Sequence, residues 1–441
     1  MTVCRKENKP LRNDGNKQVA DAIVLVFLLY IVGVFDFLRS QVLLSLLFYA
    51  LLLLCSVSFF FYIYKKKRLT RIDILVSIYA LVFPVICAIQ SNRVFEQPVY
   101  MGLVSMRYGF LIFWGYFLCL ADYDYNRLIS RINSINLIVA LASIVLLLVF
   151  GIDGVKMQAF TISTNSIDVE YMDDLVKGKK LTVCSSMMLV SYVFYLLKFL
   201  KRPSLSKDTA VLVILMFYLL FVHKGRQPLA AIGLVYVIYL LSLIFKLLKS
   251  VFARGHIIVT QRVRNMFRKI LLLSAFPVLL LVFLIVSKSS MLSSFSAILD
   301  MADSVDGSTL ARLESIDSVL PYIQKHYLFG FGNLSSHYMD NGFQYFFGKY
   351  FYLADIGIVA VLAQGGIFLL LLYIMLYRAV YRKSSLLKNS FVRDYSKYMV
   401  MSFVLMLFLL TDVLFADNCF IFSSVFFPLF GTGNPNSHIK S

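Results

Sequence analysis

The sequence predicts an all-α polytopic integral membrane protein, with about twelve transmembrane helices and a large, partly helical outer loop. Three observations predict it. Apolar residues make up 60% of the 441 positions and charged residues only 15%, against roughly 45–50% and about 25% in soluble domains. The excess is gathered into nearly uncharged blocks of about twenty residues, the length that crosses a ~30 Å hydrocarbon core as helix. The segments between blocks are alternately rich and poor in Lys and Arg. A soluble enzyme, a disordered chain and a fibrous protein are excluded. An outer-membrane barrel is excluded too, because its strands alternate in polarity instead of running apolar throughout.

Apolar blocks fall at residues 19–38, 42–64, 73–90, 99–121, 135–151, 181–198, 209–222, 228–246, 270–287 and 351–377. The closing stretch, 398–430, is interrupted by Asp412, Asp417 and Asn418. It is too long for one crossing, so it divides into two spans, the second short. The first block lacks a small-residue cleavage site and reads as a retained span. With the N-terminus inside, thirty of the 43 basic residues fall in inner segments, twelve in outer ones, and Arg107 within a span. The acids divide the other way. The net charge of +19 is therefore topological, and nucleic acid drops out as a partner. The six cysteines do not form a disulfide framework: Cys4 is in the leading tail, and the others lie in or beside apolar blocks as small core residues.

The chain then reads as one multi-span membrane domain, residues 1–441, with two long outer loops at 152–180 and 288–350. The larger loop is shorter than the ~70–80 residues at which a domain reliably supports itself, so it must fold against the helix tops. No Gly-rich loop with Lys and Ser/Thr is present to cradle a nucleotide, and no internal repeat of the transporter kind is visible. No cofactor and no metal is called for: no His pair has zinc spacing, and Asp300, Asp303 and Asp306 lack the spacing of a calcium loop. Glu170, Asp173 and Asp174 read as a solvated acidic run, with a metal or sugar as the alternative.

Two constellations could carry chemistry. The outer turn His223-Lys224-Gly225-Arg226-Gln227-Pro228 puts Pro228 at the first position of a helix, where its missing N–H costs nothing. The free N–H groups after it favour an anion, and Arg226 can add a bidentate contact suited to phosphate; the alternative is an Arg snorkelling to the interface. In the late outer loop, Ser308 or Thr309 caps a helix over about 309–326. Leu310, Leu313, Ile316, Val319, Leu320 and Ile323 form its apolar stripe, with Glu314, Asp317 and Ser318 opposite. Arg312 lies within the stripe, where a guanidinium either snorkels or meets an anion in a buried groove. The second is the favoured reading.

After His326 come Tyr327-Leu328-Phe329-Gly330-Phe331-Gly332-Asn333, then His337, Asp340 and, at the next span, Asp355. The glycines suit a turn. His337 is either a surface histidine or a base, and Asp355 either an interfacial residue or the acceptor of a sugar hydroxyl proton. Charges in or near spans, Arg107, Asp36, Asp412 and Asp417, are functional candidates by default; Arg107, the deepest, is expected to pair with one of the acids and support the cavity.

These residues carry a resemblance. Arg226 in Gly225-Arg226-Gln227-Pro228, Arg312 followed by Tyr327-Leu328-Phe329-Gly330-Phe331-Gly332, and the Gly-containing helix through Gln364-Gly365-Gly366-Ile367-Phe368 together resemble the O-antigen polymerase and ligase superfamily of bacterial envelope glycosyltransferases, particularly Wzy-type polymerases. Where the ligase branch has a His-Asn pair, this sequence has Asp355. The resemblance implies a GT-C-like architecture in the inner membrane, with the N-terminus cytoplasmic and the working face periplasmic. It implies undecaprenyl-diphosphate-linked oligosaccharides as donor and acceptor, joined with inversion into O-antigen or capsule without metal or nucleotide. Membrane lipid and a chain-length regulator protein are the implied partners. Arg226 and Arg312 would hold the departing diphosphate, and His337 or Asp355 would orient or deprotonate the acceptor hydroxyl. His223, Lys224, Gly225, Gln227, His326, Gly330, Gly332 and Arg107 would line the substrate site. A ligase acting on the same anion site, and a flippase or other transporter, are the rival readings.

Overall fold

In a computed structural model of the chain, the described residues are 14–32, 35, 41–66, 68–154, 185–204, 206–223, 226–252, 261, 264, 267, 268, 270, 271, 307–339, 342–348, 351, 353–408, 417–430 and 439. All regular structure among them is helical. Five helices are long and apolar enough to cross a membrane: Val42–Lys66, Arg71–Phe95, Tyr125–Val145, Pro228–Lys249 and Ile358–Ser384. Val99–Ser105 and Arg107–Leu120, bent by 42°, make a sixth if taken as one span. The described residues thus hold five candidate membrane spans, or six with the bent pair, consistent with a multi-pass membrane protein. Most of the expected span at 270–287 and most of the outer loop 152–180 lie outside the described residues.

Several expected boundaries shift, each for a local reason. The span expected at 351–377 is the helix Ile358–Ser384, preceded by the 3-10 turn Leu353–Ile356. The block 99–121 is not one straight helix: it kinks at Met106 and runs on as the 3-10 stretch Arg107–Phe113. Arg226, not Pro228, opens the helix Arg226–Phe252. Pro228 is tolerated at its third position because the first N–H groups of any helix lack intrahelical acceptors. Within the closing stretch, Ser390–Phe408 and Asp417–Phe426 are separate described helices.

Hydrogen bonds sort the loops by side. At one end, fully buried Asp73 accepts from Tyr116 at 2.7 Å and closes a capping box with Thr70. Lys383 donates to the Leu429 carbonyl at 2.6 Å nearby. Asp21 pairs with Arg127 and Arg131 and accepts from Tyr123 at 2.7 Å, and Lys198 pairs with Asp208. These residues lie in the segments that the charge pattern put inside or at the ends of the spans that adjoin them. At the other end, residues 92–97 meet 331–338, all expected outside.

That end is where the late loop folds. Helix Gly307–Lys325 and the residues after it share an apolar cluster with the spans, in which Phe95, Val319, Phe331, Ile356, Ala360 and Ala363 are buried together. The Phe95 ring stacks on Tyr322 at 5.7 Å and meets Phe331 edge-on at 5.6 Å. The loop is held by the tops of helices 83–95 and 358–384.

Candidate functional site

The site is built around a break in the helix Ile358–Ser384. Gly366 has φ 59° and ψ −156°, a conformation reserved to glycine, and it stops the helical ladder. In a continuous helix, Ile367 and Phe368 would donate to Ala363 and Gln364. Here they donate instead to the carbonyls of Tyr327 and Leu328 at 2.9 and 3.1 Å. The freed carbonyls of Ala363 and Gln364 accept from Phe331 and Gly332 at 2.7 and 3.1 Å. The turn 327–332 is thus spliced into the helix, and these four backbone groups released by the break find partners, as a low-dielectric setting demands.

The splice gives Gly330 and Gly332 a structural role. Both have positive φ, +66° and +86°, and a Cβ on either would lie 2.5 Å from the Ala363 carbonyl oxygen or 2.2 Å from that of Cys87. Their exposed edge is already filled by protein backbone. They seat the turn rather than line an open substrate pocket.

Side-chain amides lock the same junction. Gln97, fully buried, donates to Ser91 Oγ at 3.1 Å and to the Asn333 carbonyl at 3.0 Å, and accepts from the Ser335 N–H at 2.7 Å. Asn333 in turn donates to Ser105 Oγ at 3.1 Å and accepts from Gln364 Nε2 at 3.2 Å. Gln364 is buried, and its Oε1 has no hydrogen-bond partner among the described residues. Sequence reasoning gave Gln97, Asn333 and Gln364 no role. The available signal was a set of uncharged amides inside or beside apolar blocks, positions that cost free energy unless hydrogen-bonded.

Arg312 stands on the packed side of helix 307–325. The expected stripe is rotated: Leu313 and Leu320 are about half exposed, at 50% and 45%, whereas Ser315 and Val319 are buried. The seam that packs runs through Arg312, Ser315, Ile316, Val319, Tyr322 and Ile323, three and four residues apart on one face. Arg312 is half-buried and has no ion-pair or hydrogen-bond partner among the described residues. Leu310 lies outside the side chains described.

The other expected residues separate into groups. His326 ends the helix and is half-buried, with its carbonyl accepting from Gly330 at 2.8 Å; burial, helped by Lys325, pushes its imidazole below the ordinary value. His337 is exposed, and its backbone N–H donates to Ser335 Oγ at 3.3 Å. Arg107 sits at the kink between Ser105 and the 3-10 stretch. It donates to the Val104 carbonyl at 3.3 Å and lies over the rings of Tyr108 and Phe48, 5.2 and 5.5 Å from their centroids. Its Nε is buried without a hydrogen-bond partner among the described residues, and the expected pairing with an acid falls on side chains outside them. The carboxylates of Asp36, Asp412 and Asp417 lie outside the described side chains, as do the side chains of His223, Arg226, Gln227 and Asp355 and the whole of Lys224 and Gly225. The expected meeting of Arg226 with Arg312 falls there too. Their helices have different neighbours: 226–252 packs on 185–201 and 390–408, and 307–325 on 358–384.

Among the described residues no cluster of His, Cys, Asp or Glu could hold a metal ion. Residues 211–374 match the family model described as O-Antigen ligase. This stretch contains Arg226, Arg312, the turn 327–332 and the broken helix at Gly366, and over it the chain is similar to the O-antigen polymerase/ligase superfamily. Its members are membrane glycosyltransferase-like enzymes. A comparison with curated proteins returns no match.

Proposed function

We propose that the protein is a surface-polysaccharide polymerase of the bacterial inner membrane, working on the periplasmic side. The observation that supports this reading is Arg312: a half-buried guanidinium on the packed face of helix 307–325, without an ion-pair or hydrogen-bond partner among the described residues, inside the region that matches the family model. The donor is a glycan chain on undecaprenyl diphosphate and the acceptor is the hydroxyl of a lipid-linked repeat unit. As the hydroxyl oxygen attacks the anomeric carbon from the face opposite the leaving group, the bond to the diphosphate breaks with inversion. The electron pair leaves on the diphosphate, and the acceptor proton passes to a base, with Asp355 and His337 as candidates. The need is to hold growing negative charge in a water-poor site, and Arg226 and Arg312 are assigned to it. Losing one fixed donor to such a charge costs about 10²–10³ in rate.

Arg312→Ala and Arg226→Ala are expected to abolish long-chain polysaccharide while the protein stays in the membrane. Normal ladders on a surface-glycan gel from either variant would refute the assignment. The same gel separates the ligase reading. Loss of a polymerase leaves single repeat units on the acceptor lipid, whereas loss of a ligase leaves none and accumulates glycan on the carrier.

A further inference from the structure

We infer that the helix Gly307–Lys325 and the turn after it are seated sideways in the outer boundary of the bilayer, with Leu313, Leu320, Tyr327 and Leu328 in contact with lipid. In the turn, Tyr327 and Leu328 are 59% and 49% exposed, and in the helix Leu313 and Leu320, seven residues or two helical turns apart, are 50% and 45% exposed. They lie along the edge of the helix between its packed seam and its charged side, where Glu314, Asp317 and Lys325 are exposed. An apolar edge between a buried face and a charged face is the pattern of a helix lying in an interface.

What covers that edge is given by its continuation. Ile367 donates to the Tyr327 carbonyl and Phe368 to that of Leu328, so the exposed pair 327–328 stands directly on the second half of helix 358–384. That half presents Ile367, Leu371, Ile374 and Met375, between 39% and 51% exposed, on one face of a candidate membrane span. The lipid-facing wall of the span therefore runs on, across the break, into the loop helix.

Depth agrees. From Lys383, at the inner polar cluster with Asp73, seventeen residues of helix lead back to Gly366, about 26 Å at 1.5 Å per residue. On the neighbouring helix, Asp73 to Cys87 and Ser91, which touch Gly332, is about 21–27 Å by the same rise. Against a core of ~30 Å, both rulers set the spliced turn just inside the outer boundary. Tyr327 then falls at the level where tyrosines gather, and Arg312 at the level of lipid headgroups. The inference rests on the membrane reading and not on glycosyl transfer.

The test uses the full chain in phosphatidylcholine–phosphatidylglycerol vesicles, with and without bromine near the carbonyl end of the acyl chains. Leu313→Trp and Leu320→Trp are made one at a time, with Glu314→Trp as the charged-side control. The native Trp114 is fully buried, and its emission is subtracted. Both leucine positions are expected to lose most of their added emission to brominated lipid and little to aqueous acrylamide, and the control the reverse. Quenching of Leu313→Trp and Leu320→Trp by acrylamide alone would mean a helix raised into water. Quenching by neither agent would mean an edge covered by protein. Either result overturns the inference, and neither bears on transfer activity, which is read on the glycan gel.

Discussion

At the residue scale, two groups decide what the site can do. Arg312 is aimed by its neighbours: Ser315, Ile316 and Val319 bury the face it shares, so the guanidinium is carried to the packed side, with no counter-charge paired to it among the described residues. Arg312→Lys keeps the charge but loses the fork that matches a diphosphate. A loss nearly as severe as that of Arg312→Ala is expected on the glycan gel, and full activity of the lysine variant would mean that charge alone suffices. His326 carries a pH signature. Its folded-state value lies below the ordinary one because burial and Lys325 disfavour the proton. The unfolded chain then binds the proton first as pH falls through the histidine range, so folding stability declines on acidification across the window between the two values. His326→Gln should flatten that decline, seen as a smaller difference in melting temperature between neutral and mildly acidic buffer.

At the scale of elements, the splice is the feature on which the loop's position depends. Gly366→Ala places a Cβ 2.4 Å from the Tyr327 carbonyl oxygen and demands a backbone conformation costing ~1–3 kcal/mol for any other residue. The expected result is a folded bundle with a detached loop: protein present in the membrane, polymer absent, and residues 327–335 newly open to protease. Retention of both polymer and protease resistance would mean that the turn is not held by the break. Gln97→Leu probes the second lock from a distant part of the chain. It strands the Ser335 N–H and the Asn333 carbonyl, at ~1–3 kcal/mol per buried orphan, and should release the same loop without touching Gly366. The two variants together ask whether the loop is held by backbone, by amides or by both.

At the scale of the whole molecule, the two ends of the bundle are chemically distinct. One gathers the ion pairs of Asp21 and Lys198 and the buried Asp73, and the other gathers uncharged amides and aromatic rings. Ser336→Cys, in the exposed stretch of the late loop, should take a membrane-impermeant maleimide added outside intact cells above the wild-type background. Leu386→Cys, in the exposed turn after residue 384, should label only once cells are opened. The reverse pattern would invert the assigned orientation and remove the periplasmic reading.

Much of this architecture was legible in the chain. Hydrophobic length and basic-residue bias are local sums over twenty residues, so they mark helices and their sides without knowledge of neighbours. The Arg312 helix was readable for the same reason, and so was the resemblance that the match over residues 211–374 bears out. The rotation of its packed face was not, because Leu313 can be buried by protein or by lipid and the sequence pattern is the same. Gly366 read as one glycine among several in an apolar block. Its meaning depends on four hydrogen bonds that join residues 32 or 40 positions apart. Gln97, Asn333 and Gln364 were silent in the same way, since an amide reveals its purpose only through its partner. The sequence by itself determined where helix could form and which ends lie together, because those follow from the cost of polar groups in an apolar medium. Only the tertiary structure decided where one helix must stop so that a distant loop could enter it, because that requires two segments to satisfy each other's backbone.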